Sequence, residues 1–124
     1  MTNPAPAHPR FTFPRRARLS GMRQFDDVFA ERKRIRLGPI TVFWRLNSLA
    51  TSRLGISISR KVGTAPVRNR IKRLLRESFR LAQHKIPTGR DLVIVVHPHK
   101  PLALDDYQRH FVDLAVRLAA ADKT

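Results

Sequence analysis

Residues 53–80 read RLGISISRKVGTAPVRNRIKRLLRESFR, and two periodicities meet in that stretch. Over 53–59 the side chains alternate. Leu54, Ile56 and Ile58 share one face, and Arg53, Gly55, Ser57 and Ser59 share the other, as on a β-strand. A basic loop with a glycine, Ser59 to Thr64, follows. Thr64 is placed to cap a helix and Pro66 suits its first turn, which predicts a helix over 66–84 ended by Ile86-Pro87-Thr88-Gly89. At about 100° per residue, Val67, Ile71, Leu74, Leu75, Ser78, Leu81 and Ala82 fall on one arc, with Phe79 at its edge. Arg68, Asn69, Lys72, Arg73, Arg76 and Arg80 fall on the opposite arc. The helix therefore packs on a sheet and turns a cationic face outward, with Glu77 as the only acid nearby. An ordinary solvated face mixes both signs. A row of one sign is tolerated when phosphates share its field. Asn69, between two arginines, adds a donor and an acceptor to bare charge.

The pattern extends in both directions. Residues 1–17 are a flexible Pro/Arg-rich arm, with Arg15, Arg16 and Arg18 as a short basic run. Ser20 is a candidate N-cap for a helix over 20–32 whose apolar side is Met22, Phe25, Val28 and Phe29. Gly38-Pro39 breaks the chain before a strand over 40–47. On it Ile40, Val42, Trp44 and Leu46 share one face, and Thr41, Phe43, Arg45 and Asn47 share the other. Beyond the central helix, Asp91 to His97 is a strand whose run Leu92-Val93-Ile94-Val95-Val96 places it mid-sheet, covered on both faces. Pro98 and Pro101 break the chain. A last helix begins at Asp105, with Tyr107, Phe111, Leu114, Ala115 and Leu118 on one side. The expected architecture is an α+β sandwich in the order α-β-β-α-β-α with one sheet. It is a single domain over 18–120 with a tail over 121–124.

Composition bounds the partners. The chain has 124 residues, with 25 Lys+Arg against 9 Asp+Glu, a formal charge of +16. The excess is concentrated: 1–52 carry +7, 53–85 carry +9, and 86–124 are neutral. Self-repulsion on this scale works against compaction unless a polyanion offsets it. Cysteine is absent, which excludes disulfides, thiolate zinc sites and a cysteine nucleophile. No apolar run reaches the roughly 18 residues of a membrane span, and 1–18 lack the apolar stretch of a secretory signal. A small soluble domain with a nucleic-acid partner is the expectation.

A second surface suggests itself on the polar face of the first two strands. Small residues (Gly55, Ser57, Ser59), one aromatic (Phe43) and one cation (Arg45) could accept unpaired bases and a phosphate. Phe25 and Phe29 either wall the same groove or belong to the core. Nuclease chemistry of the protein's own is poorly supported. Two-metal hydrolysis needs convergent carboxylates, whereas Asp26 and Asp27 diverge on a helix and Asp105 and Asp106 sit at a helix start, where acids favour the dipole. His97 and His99 would share a face only if their strand ran on past Pro98.

Residues 53–65, followed by Val67-Arg68-Asn69-Arg70-Ile71-Lys72-Arg73-Leu74-Leu75-Arg76-Glu77-Ser78-Phe79, resemble the bacterial ribonuclease P protein subunit. Arg68-Asn69-Arg70 matches the family's RNR motif. Leu19 and Phe25-Asp26-Asp27-Val28-Phe29 match its weaker N-terminal pattern, and the later strand and closing helix also fit, so the likeness spans 18–118. It implies a cytoplasmic holoenzyme with a large catalytic RNA that hydrolyses one phosphodiester of precursor tRNA, releasing the 5′ leader. It implies no catalytic residue and no metal ligand in the protein, with Mg²⁺ held mainly by the RNA, and no membrane or obligate protein partner. Carried over by position, Arg60, Lys61, Arg68, Asn69, Arg70, Lys72, Arg73 and Arg76 would meet the catalytic RNA. Phe25, Phe29, Phe43, Arg45 and Ser57 would line the cleft for the leader. Phe43 stands where the family usually has tyrosine, which keeps stacking and loses a hydroxyl. The resemblance also implies one mixed sheet with a left-handed crossover between 53–59 and 91–97 (the ribosomal S5 domain 2-like fold), against the general right-handed rule. A structural RNA-binding protein of ribosomal type is the alternative. A DNA-compacting or membrane-active basic protein is disfavoured by the polar, aromatic groove.

Overall fold

Seven elements form in the computed structural model, which describes residues 18, 19 and 21–121. They are α1 (Met22–Ala30), β1 (Arg34–Leu37), β2 (Ile40–Leu46), β3 (Arg53–Ile58), α2 (Ala65–Ala82), β4 (Arg90–Val96) and α3 (Leu104–Ala121). A 3₁₀ turn, Arg60–Val62, leads into α2. The order is α-β-β-β-α-β-α, one strand more than expected. The extra strand is β1, whose sequence Arg-Ile-Arg-Leu alternates with period 2 but covers only four residues. Gly38-Pro39, read as a chain break, is the two-residue turn that pairs β1 with β2. Leu37 faces Ile40 across it, and Gly38 takes a φ of 55°, as a tight hairpin requires.

Element ends moved by a residue or two. Thr64 occupies the N-cap of α2 with extended backbone but makes no side-chain capping bond, and Pro66 sits in the first turn. Gly21, with φ 85°, precedes α1. Ser20, the 1–17 arm and residues 122–124 lie outside the described residues. Ala121, assigned to the tail, is the last residue of α3.

The sheet order is β1-β2-β4-β3, antiparallel except for the parallel β3–β4 pair. The apolar run of β4 is central as expected, with Leu92, Val93 and Ile94 fully buried. One face of the sheet carries the main core. Ile40, Val42, Trp44, Leu54, Leu92, Ile94 and Val96 meet Ile71, Leu75, Phe79 and Ala82 of α2 and Tyr107, Phe111, Leu114 and Leu118 of α3. Phe79 is fully in this core, its ring edge-on to Phe111 at 6.1 Å. Ser78, on the apolar arc, satisfies its hydroxyl on the Leu74 carbonyl at 2.7 Å. Leu46, expected to face the core, is 60% exposed at the end of β2. The opposite face carries a smaller core of Leu19, Val28 and Val93 under α1, with Phe25, Phe29 and Phe43 packed against it. Leu19 is tied down by its backbone N–H on the Leu54 carbonyl at 2.9 Å. No described helix is long and apolar enough to cross a membrane.

Candidate nucleic-acid interface

The outer side of α2 is a cationic row. Asn69, Arg70 and Arg73 are exposed, and Arg68, Lys72 and Arg76 are half-buried, their stems lying along the protein as long basic side chains do. Among the described residues no carboxylate pairs with Arg68, Arg70, Lys72, Arg73 or Arg76. Arg80 differs, because it grips Glu77 through Nε at 2.9 Å and Nη2 at 2.6 Å. That hydrogen bonding holds the Glu77 carboxyl below its ordinary range. The one acid near the row is thus spent at its C-terminal end, leaving the RNR end uncompensated. Burial and then the nearby Arg18 lower the pKa of Arg76, so cationic potential extends from α2 toward the edge of β3. Arg60 and Lys61, exposed on the 3₁₀ turn, continue the row past the helix N-terminus.

The second surface lies on the other face of the sheet, where strand register lines up three rows. Arg45, Asp91 and Arg53 form one, Arg34, Phe43, Val93 and Gly55 the next, and Arg36, Thr41, Val95 and Ser57 the third. Helix α1 crosses the middle row. Phe25 fills the space over Gly55, where a Cβ would lie 2.6 Å from its ring. Gly55 is therefore small so that α1 can dock, and it offers no opening to a base. Phe29 meets Phe43 edge-to-face at 4.9 Å. Beside that pair opens a groove of about 660 Å³ lined by Phe29, Arg34, Arg36, Thr41, Phe43, Val95 and His97.

The first row is a charge clamp. Asp91 is fully buried and takes two hydrogen bonds from Arg53 (Nε to Oδ1 2.8 Å, Nη2 to Oδ2 2.7 Å). Asn47 Nδ2 adds one to Oδ1 at 2.8 Å, and Arg45 reaches Oδ2 from 3.3 Å. Burial alone would raise the Asp91 pKa, but the bonds from Arg53, Asn47 and Arg45 outweigh it and hold the carboxyl below its ordinary value. Two arginines share one carboxylate, so the row keeps net positive charge.

The structure sorts the expected cleft residues. Phe29 and Phe43 line the groove. Ser57 is half-buried in the row that crosses it. Phe25 belongs to the α1 packing, and Arg45 is engaged by Asp91. Arg34 and Arg36 were not singled out from sequence as binding groups, whereas Thr41 was read on the polar face beside Phe43 and Arg45, and His97 was weighed only with His99 as a metal pair. The first two were legible only as alternation in a very short segment. His97 and His99 do not converge. His97 Nε2 meets Thr41 Oγ1 at 2.7 Å, whereas His99 turns to the Tyr107 hydroxyl at 2.7 Å and to the His97 carbonyl at 2.8 Å. Among the described residues no group of three or more His, Asp or Glu could hold a metal ion.

Known proteins share the fold that carries these two surfaces. The model of the family described as Ribonuclease P matches residues 13–119. The chain is 47% identical over 87 residues to the ribonuclease P protein component of Escherichia coli, covering 69% of this chain and 72% of that one. Among solved structures it is similar to an RNase P protein from Thermotoga maritima, with TM-score 0.72 and 34% identity over 81% of this chain and 96% of that one. An RNase P protein from Staphylococcus aureus gives TM-score 0.71 and 26% identity over 83% and 94%.

Proposed function

The chain belongs to the ribonuclease P protein family, and from that premise we propose how its two surfaces divide the work of the holoenzyme. The uncompensated row on α2, continued by Arg60 and Lys61, grips the phosphates of a folded catalytic RNA. The observation that carries this reading is the lack of any acid partner for Arg68, Arg70, Lys72, Arg73 and Arg76 among the described residues, on the helix that bears the RNR motif. Asn69 adds a contact with direction. The groove on the opposite face takes the single-stranded 5′ leader of precursor tRNA. Bases stack against Phe29 and Phe43, and phosphates meet the cations at its rim.

In this reading the holoenzyme, acting in the cytoplasm without an obligate protein partner, adds water across one phosphodiester. The phosphate stays on the mature tRNA 5′ end and the leader departs with a 3′-hydroxyl. Mg²⁺, held mainly by the RNA, would supply activation of water and stabilisation of the leaving oxygen. The protein's part in this reading is binding, orientation and electrostatic field.

Reconstitution tests the proposal. The protein, the catalytic RNA of the same source and precursor tRNA are combined at low Mg²⁺. Cleavage well above that by RNA alone is expected. Phe43→Ala is expected to weaken leader-bearing tRNA more than mature tRNA, by about 1–3 kcal/mol for one lost stacking contact. No acceleration would favour a structural RNA-binding role, and equal weakening of both tRNAs would refute the groove assignment.

A further inference from the structure

At the β1 end of the groove, cationic and protonatable side chains from separate strands gather with no acid among the described residues. Arg34 and Arg36 come from the edge strand and His97 directly follows β4, all three lining the same opening. Thr41 lies between them, its Oγ1 2.7 Å from His97 Nε2. Arg36 places its Nε on the Gly38 carbonyl at 2.7 Å, which anchors the guanidinium at the hairpin without neutralising it. Arg34 has no partner among the described residues. We propose that Arg34, Arg36, Thr41 and His97 form a proton-linked subsite for one phosphodiester of single-stranded RNA, in which His97 gains a proton as the phosphate lands. The proposal rests on the groove being the leader site and adds to it a specific nucleotide contact and a pH dependence.

The sign follows from what surrounds His97. From β1 it faces Arg36, with Arg34 one row away. From β2 it faces the neutral Thr41 and Phe43, from β4 Val95, and from α1 Phe29. The loop beyond contributes His99, whose ring is engaged by Tyr107. Among the described residues no carboxylate lines the groove. Burial first, then the charges of Arg36 and His99, push the His97 imidazole below its ordinary pKa, which favours the neutral ring. A phosphate seated among these groups brings an opposite charge into contact and reverses the preference. Both ring nitrogens of the imidazolium then donate, one to Thr41 Oγ1 and the other to the anion. The Phe43 row lies about 6.6 Å, twice the strand rise per residue, from the Thr41 row, and His97 starts one row further on with its ring reaching back to Thr41, so a base on Phe43 and a phosphate beside Thr41 and His97 fall on neighbouring positions of one RNA strand.

The test titrates the full chain with a labelled short oligouridylate bearing a 5′-hydroxyl. No group of this probe titrates between about pH 6 and about pH 8. Affinity is read by anisotropy at constant ionic strength, and proton uptake by calorimetry in two buffers of different ionisation enthalpy. Wild type is expected to bind about tenfold tighter at about pH 6 than at about pH 8, with net proton uptake. His97→Gln should bind at both pH values as wild type does at the higher one. His97→Lys should bind tightly at both. Phe43→Ala should weaken binding at both while keeping the pH dependence. A pH dependence that persists in His97→Gln, or is missing from wild type while Phe43→Ala still weakens binding, overturns the proton link and leaves the groove reading standing. Binding indifferent to both Phe43→Ala and His97→Gln overturns the two together.

Discussion

Replacing Asp91 by asparagine keeps the shape of a buried side chain and removes the charge on which Arg53, Arg45 and Asn47 converge. Three short bonds reach this carboxylate, two from Arg53 and one from Asn47, at 2.7–2.8 Å. A hydrogen bond to a charged group contributes about 1.5–3 kcal/mol and a neutral one about 1. The change therefore costs roughly 1 kcal/mol per bond, about 3 kcal/mol in all. The amide nitrogen must also face a guanidinium, so one bond is lost outright. Against the roughly 5–15 kcal/mol that holds a domain folded, this is a large fraction. Urea unfolding of both proteins at neutral pH measures it as a shift of midpoint at unchanged slope. The pH dependence supplies a second reading. The folded-state pKa of Asp91 is depressed, so the carboxylate's contribution is complete above the unfolded value of about 4 and is lost as pH falls through the lower folded value. The gap between wild type and Asp91→Asn should hold from pH 7 to about pH 5 and narrow as the medium becomes more acid. A variant within about 0.5 kcal/mol of wild type at pH 7, or a gap unchanged in strong acid, would refute the clamp as a stabilising device.

Two further outcomes follow from the same geometry. Gly55→Ala puts a methyl 2.6 Å from the Phe25 ring and 3.1 Å from Leu19 Cβ; overpacking of this kind costs about 1–3 kcal/mol, measurable by urea unfolding. A shortened partner, Phe25→Leu, should recover part of that loss in a double-mutant cycle, and additive costs would mean that α1 does not seat on Gly55. Arg68→Ala combined with Arg73→Ala should weaken binding to the catalytic RNA and reduce the slope of log affinity against log salt by about two. A filter-binding series over salt concentration reads this, and an unchanged slope would place both side chains outside the RNA contact.

The helix that carries the cationic face was readable because its information is local. Residues 66–82 repeat every three to four positions, so one arc of α2 must be apolar and the other basic whatever lies around it. The apolar run of β4 likewise announced a strand covered on both sides. The short β1 was missed, since four residues of alternation carry little signal and its Gly-Pro turn also reads as a break. Leu46 followed its strand's alternation yet ended up exposed, because the pattern does not say where the covering layer stops.

Composition and local periodicity alone therefore determined that this is a basic α+β domain whose central helix turns a cationic face of one sign outward. They could do so because charge and helical or strand period are properties of neighbours in the chain. The groove was decided in three dimensions. Arg36, Thr41, Val95 and Ser57 are scattered along the sequence and become one row only through the register of four strands. Asp91 looks in the sequence like the polar start of a strand; it becomes a clamp because β2 and β3 each place an arginine beside it. The long-range pairing that brings such residues together is fixed by the packing of both sheet faces, which no single segment encodes.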